Sequence, residues 1–163
     1  LRIFILKFLI PAIVLLMAAG CATVPDEYPR TIAVWDLENL SLDSGGRPDL
    51  GEMLSAEINQ TVGQTGNVLV VERQKLLMIL EELRLGSSSL AEESTRLKVG
   101  RMLGAREMIF GDYMVIGPTM RIDLRRVDVE TGRVLKTAKQ TADAGDLNGW
   151  LKAARDAASG IYP

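Results

Sequence analysis

The apolar positions of this chain change period as it runs, and those changes divide it into elements. Residues 31–37, Thr-Ile-Ala-Val-Trp-Asp-Leu, are β-rich and largely apolar, as a buried strand requires. A polar loop over 38–48 follows, broken at Gly45-Gly46. Leu50, Met53, Leu54, Ile58 and Val62 then recur at helical spacing and predict an amphipathic helix over 50–63. Its start is signalled by Asp49, three residues ahead of Glu52, a capping-box variant. Residues 67–71, Asn-Val-Leu-Val-Val, read as a second buried strand. Strand, helix and strand at this spacing predict a right-handed βαβ crossover with parallel strands.

Glu72-Arg73 opens the next helix, with Leu76, Leu77, Leu80 and Leu83 as its buried face and Gly86 as its stop. Glu72 is read as a helix-start acid and Arg73 as its solvent or ion-pair neighbour. A third helix is expected over 92–103, carrying Leu97, Val99, Met102 and Leu103 and halting at Gly104. Three strand-like runs follow as a meander. The first spans 107–116, and Gly117-Pro118 breaks it from a second over 119–129. In the second, Met120, Ile122 and Leu124 alternate with Arg121, Asp123 and Arg125, the mark of a half-exposed strand. The apolar phase then passes to Val127 and Val129, which predicts a β-bulge near Arg125-Arg126. Glu130-Thr131-Gly132 makes a turn with glycine at positive φ, and 133–141 returns. A last helix begins near Asp146 with Leu147, Trp150, Leu151 and Ala154 on one side. The expected fold is a single α/β domain with a mixed sheet: a βαβ crossover, two helices, an antiparallel meander and a C-terminal helix.

The stretch ahead of residue 31 has a different character. Arg2 and Lys7 precede an apolar run over 8–17, and then come Ala18-Ala19-Gly20-Cys21. A positive start, a short apolar core and small residues before a cut describe an export signal over 1–20. The apolar run, interrupted by Pro11, falls short of the ~20 residues a spanning helix needs. The chain opens on Leu1 rather than Met, which suggests an alternative start codon or a trimmed end. Cys21 follows Ala-Ala-Gly as in a bacterial lipobox, with Ala18 in place of the usual leucine, and is the expected lipidation residue. A diacylglycerol thioether with an N-acyl chain such as palmitate would anchor the protein without spanning the membrane. Ala22 rather than aspartate follows the cysteine, the pattern of lipoproteins sent on to the outer membrane. Residues 21–30 then form a tether of at most ~35 Å, leaving 31–163 as the folded periplasmic domain.

Composition narrows the function. Cleavage ahead of Cys21 would leave 17 basic residues against 21 acidic, a net of −4, which argues against nucleic acid as a partner. The sequence contains no histidine, and its lone cysteine is assigned to lipid. A hydrolytic triad or zinc site therefore lacks its usual parts. Neither a Gly-x-Ser-x-Gly elbow nor a phosphate-binding loop occurs. Paired carboxylates such as Glu81-Glu82 or Glu92-Glu93 point about 100° apart on a helix and read as solvated faces. No cofactor, no metal and no enzymatic activity are expected.

Four motifs in order carry a resemblance: Ile32 to Asn39, Val70-Val71-Glu72-Arg73, Leu103-Gly104-Ala105 running into Ile109-Phe110-Gly111, and Val127 to Leu135. Behind a lipobox, this order resembles the curli production assembly/transport lipoprotein family, with the related penicillin-binding-protein activators and flagellar-associated lipoproteins. The resemblance covers roughly residues 31–140 and implies a compact domain like the anticodon-binding-domain fold. Two departures bear on function. Curli-type channels build their pore from two long inserted hairpins per protomer, and this chain shows no such insertion. The penicillin-binding-protein activators reach through the cell wall on a long tether, against ten residues in this chain.

The resemblance therefore implies an outer-membrane lipoprotein acting as an assembly or accessory component of a secretion or surface-appendage system. The alternative is a regulator that binds and activates a peptidoglycan synthase. Protein partners in the envelope, self-association into a homo-oligomer and membrane contact through the lipid are the expected interactions. Two surfaces are candidates. Arg121, Arg125, Arg126, Arg133, Lys136 and Lys139 stand against Asp123, Asp128 and Glu130, a local excess of +3 that would suit an acidic partner. The helix with Leu147, Trp150 and Leu151 would serve as a protomer interface or pack on the sheet. The loop after Asn39 is a third, weaker place for recognition.

Overall fold

A computed structural model describes residues 29–42, 49–83 and 92–162. The elements run β1 (Arg30–Val34), β2 (Glu38–Asn39), α1 (Gly51–Gly63), β3 (Val68–Val70), α2 (Arg73–Glu82), α3 (Glu93–Met102), β4 (Glu107–Ile116), β5 (Thr119–Asp128), β6 (Val134–Asp143) and α4 (Leu147–Ile161). One mixed sheet takes the order β3-β1-β4-β5-β6, and β2 adds beside β4. β1 pairs parallel to both β3 and β4, as the βαβ reading requires, and β4 to β6 form the antiparallel meander. Residues 1–28, 43–48, 84–91 and 163 lie outside the described part, so Cys21, the Gly45-Gly46 break and the Gly86 stop do too.

The sheet buries both faces. Ile32 and Val34 of β1, Ile109 and Tyr113 of β4, and Met120, Ile122 and Leu124 of β5 meet α1 and α4 on one side. The alternate positions Ala33, Trp35, Met108, Phe110 and Val127 meet α2 and α3 on the other, through Leu76, Leu97 and Val99. Helix α4 packs through Ala153, Ala154, Ala157 and Ala158, side chains small enough to let it lie close on β5 and β6.

The link from β1 to β2 needs a special contact, because residues 35–37 leave the ladder. Ser55 in α1 supplies it: its Oγ accepts from the Leu37 N–H at 2.8 Å and donates to the Gly51 carbonyl at 2.7 Å. A side chain at Gly51 would put its Cβ 2.2 Å from the Leu37 carbonyl oxygen, so only glycine lets α1 start this close.

Several expectations need correction. β3 is an edge strand rather than a buried one; Leu69 is 58% exposed, because β1 is its one neighbour in the sheet. On α2 Leu76 is buried, Leu80 is partly so, and Leu77 and Leu83 are exposed. A three-residue edge strand offers α2 too little surface to cover a full helical face. Met102 of α3 is likewise exposed, although that helix does stop at Gly104, with φ +70°. Asp49 is not a capping-box residue. Leu50 is the N-cap, and the Asp49 carboxylate accepts from the Gly51 N–H at 2.9 Å and the Tyr113 hydroxyl at 2.9 Å.

The predicted bulge exists, with its extra residue on the other strand. Arg126 pairs with Lys136 and Val127 with Val134, so Leu135 of β6 is the inserted residue. β5 keeps an unbroken register with β4 throughout. Its apolar pattern changes phase because the strand passes from the α4 core to the α3 core. The turn at 130–132 has Gly132 at φ +69°, as expected.

Trp150 holds the larger core together. It is 4% exposed, stands 5.9 Å from the Tyr113 ring and donates from Nε1 to the Asp143 carbonyl at 2.9 Å. Trp150→Ala should cost about 3–5 kcal/mol in urea unfolding; a loss below ~1 kcal/mol would contradict this packing.

Candidate functional site

Ten-residue α3 covers only part of the sheet face it packs on. Among the described residues that face stays open towards the β4–β5 hairpin, and a cleft of about 460 Å³ lies over it. Register builds its floor from two cross-strand rows. Asp112, Asp123 and Lys139 stand opposite one another on β4, β5 and β6, and Phe110, Arg125 and Thr137 form the row below. Glu38 and Arg96 close the end under α3.

The charges here are matched. Arg125 donates to Glu93 at 2.8 Å with its guanidinium carbon 5.7 Å from the Phe110 ring centroid. Arg96 is buried, pairs with Glu38 and lies 5.7 Å from the Trp35 ring centroid. Asp123 takes Arg121 and, at 3.9 Å, Lys139. Asp112 faces Asp123 directly, and like charges so placed repel. Burial, and then the Asp123 charge, push the Asp112 carboxyl above the usual aspartate range.

The basic candidates do not form one face. Arg121, Arg125 and Lys139 share the cleft side, where Asp112, Asp123, Glu38 and Glu93 offset them. Arg126 and Lys136 pair with each other on the opposite side, near the N-terminal end of β1. There Arg126 stacks 4.3 Å from the Tyr162 ring centroid. On α4, Trp150 is in the core, Leu151 packs partly against it, and Leu147 is exposed. Arg73 is an ion-pair residue, as expected: it holds Asp36 through two hydrogen bonds, at 2.7 and 3.2 Å, and Glu52 at 3.1 Å. The cleft residues missed in the sequence are Phe110, Asp112, Glu38 and Arg96. Strict alternation along 107–116 would have placed Phe110 and Asp112 on one face. Nothing local signals Arg96, which looks like any solvated helix cation.

Among the described residues, no group of three or more His, Cys, Asp or Glu side chains could hold a metal ion. No described helix is long and apolar enough to cross a membrane. The arrangement suits recognition: a mixed-charge sheet face beside β6, whose outer edge is unpaired among the described residues.

Residues 21–115 match the family model described as curli production assembly/transport component CsgG, more than half of the chain. The chain belongs to the CsgG family. No curated protein sequence matches this CsgG-family chain significantly. Among solved structures it is similar to the LpoB C-terminal domain from Salmonella enterica, at 17% identity over 71% of this chain and 83% of that one, with a TM-score of 0.60. It is also similar to the PelC dodecamer from Paraburkholderia phytofirmans, at 15% identity, 86% and 94% coverage and a TM-score of 0.55. Lipoprotein GNA1162 from Neisseria meningitidis aligns at 15% identity, 72% and 84% coverage and a TM-score of 0.55. At these identities the likeness establishes the fold, a single α/β domain with an open mixed sheet.

The raised Asp112 carboxyl gives a signed prediction. A carboxyl whose folded pKa lies above its unfolded value of about 3.9 opposes folding when ionised, and that opposition fades as pH falls below both values. Asp112→Asn should therefore raise the melting temperature at pH 7 and lose that gain near pH 3. A variant that melts lower at pH 7 would show that Asp112 is instead stabilised by its neighbours.

Proposed function

We propose that this chain is a non-enzymatic lipoprotein, anchored through Cys21 to the periplasmic face of the outer membrane. It acts there as an assembly or accessory component of a secretion or surface-appendage system, by contacts with envelope proteins and with copies of itself. The observation that carries this reading is the CsgG-family match across residues 21–115. Two structural features support it. Among the described residues the ten-residue β6 has no strand on its outer edge, a surface beside the cleft suited to joining protomers or a partner strand. The ten-residue hairpin strands β4 and β5 are packed against helices on the domain, which favours an accessory role over a pore made by this chain alone. The PelC neighbour is a dodecamer, which fits self-association.

The second reading is a regulator that binds and activates a peptidoglycan synthase. Likeness to LpoB favours it, and the short 21–30 tether opposes it. The two readings differ in self-association. Light scattering after size exclusion of the acylated protein in mild detergent should give a discrete oligomer. A monomer at all concentrations would overturn the assembly reading and favour the regulator. Intact mass fixes the anchor in the same sample, since Cys21→Ser should lose both the acyl mass and membrane association.

A further inference from the structure

Strand β6 is the long edge of the sheet without a neighbour among the described residues; β2 and β3 have only two and three residues. The hydrogen-bond phase decides which of its backbone groups point outward. The Ala144 N–H donates to the Pro118 carbonyl at 2.8 Å, in step with the β5–β6 register. From Lys136 to Ala144 the even-numbered residues therefore bond to β5, and the odd-numbered ones turn their N–H and carbonyl groups away from it. Those outward residues are Thr137, Lys139, Thr141 and Asp143, all exposed.

Both ends of this stretch are marked. At one end Leu135 is the residue inserted by the bulge. At the other the Asp143 carbonyl already accepts from Trp150 Nε1 at 2.9 Å and from the Asp146 N–H at 3.2 Å. Between them the edge carries two opposite charges four residues apart, Lys139 and Asp143, with Thr141 midway. The Lys139 side chain is 58% exposed and reaches Asp123 only at 3.9 Å.

That order of charges is complementary to itself. An antiparallel copy of the edge centred on Thr141 sets Lys139 of each copy opposite Asp143 of the other, and Thr141 opposite Thr141. Opposite charges and paired threonines are both favourable across strands. Centring the pair on Lys139 would instead set two lysines opposite, which is unfavourable. Lysine and bulges commonly blunt a sheet edge. Here the bulge stands beyond the paired stretch, and the lysine meets an acid.

Helix α4 leaves room for the approach. Arg155 holds Glu57 of α1 at 2.7 Å, which fixes the flank turned to that helix. The flank over β6 carries Gly149, where a Cβ would lie 3.5 Å from Ala142 Cβ. Because α4 packs across β5 and β6, continuing the sheet at ~4.8 Å per strand sets the two copies of α4 about 10 Å apart, the spacing of packed helices.

We propose that β6 pairs antiparallel with β6 of a second copy about a two-fold axis at Thr141, so that one sheet runs through two protomers. The inference deepens the self-association reading and rests on it. The copies run in opposite directions, so both tethers, of ~35 Å at most, reach one membrane when the shared sheet lies parallel to it.

The test uses the acylated full-length protein in mild detergent. With Cys21 acylated, an introduced cysteine is the single free thiol. Hydrogen-bonded partners across an antiparallel pair have Cα atoms about 5.5 Å apart, within disulfide range. Thr141→Cys should therefore give a disulfide-linked dimer on mild oxidation. Leu135→Cys on the same edge should not, because its two copies would stand roughly 40 Å apart. Lys139→Glu, which faces the second copy's acid, should weaken the unlinked dimer about tenfold in light scattering. Equal linking at both positions, or an unchanged oligomer in Lys139→Glu, would overturn the proposal. An oligomer that forms no Thr141→Cys disulfide would also overturn it, while leaving the assembly reading intact. A monomer with no disulfide would remove both.

Discussion

Strand β4 is hydrogen-bonded along both edges and must bury side chains on both faces, and the other elements are placed by meeting that demand. Ile109 and Tyr113 need one cover, which α1 and α4 supply; Met108 and Phe110 need another, which α3 and α2 supply. Parallel β1 on one side and antiparallel β5 on the other make the sheet mixed. Gly111 tightens the arrangement, since a Cβ there would lie 2.4 Å from Leu124 Cδ2 and 2.7 Å from the Asp123 carbonyl oxygen. The cleft exists because α3 is too short to cover the second face along its whole length.

The same topology polarises the domain. α1, α3 and α4 run against β4, so their N-termini gather towards the β4–β5 hairpin and their C-termini towards Arg30 at the start of β1. Acids occupy the N-terminal ends, as Glu52, Glu93 and the N-cap Asp146, and Arg101 sits in the last turn of α3, each complementing the helix dipole.

Much of the fold was legible in the residues, because its signals are local. Alternation over 107–116, glycines at 104, 117 and 132, and apolar spacing over 50–63 each specify an element without distant information. The errors share one cause. Burial of Leu69, Leu77 and Leu83 depends on what lies opposite, and the three-residue edge strand β3 offers little surface for it. The phase change at Val127 had two explanations, a bulge or a change of core. Both occur, with the bulge on β6, and only cross-strand register separates them. For the candidate site, the cations at 121–139 were visible, but not their division between two faces. Their apparent excess dissolves because Asp112, Glu38 and Glu93 approach from other elements.

The account rests on β4 as the element whose loss dissolves both cores, with β3 and α2 as weakly held margins. Residue-resolved hydrogen exchange of the native protein tests this most directly. The amides of Ile109 to Tyr113 should exchange only through global unfolding, while those of Leu69 and of α2 exchange through local opening well before it. Exchange of the β4 amides at the rate of the β3 edge would contradict the account, and would mean that the two cores open independently of their shared strand.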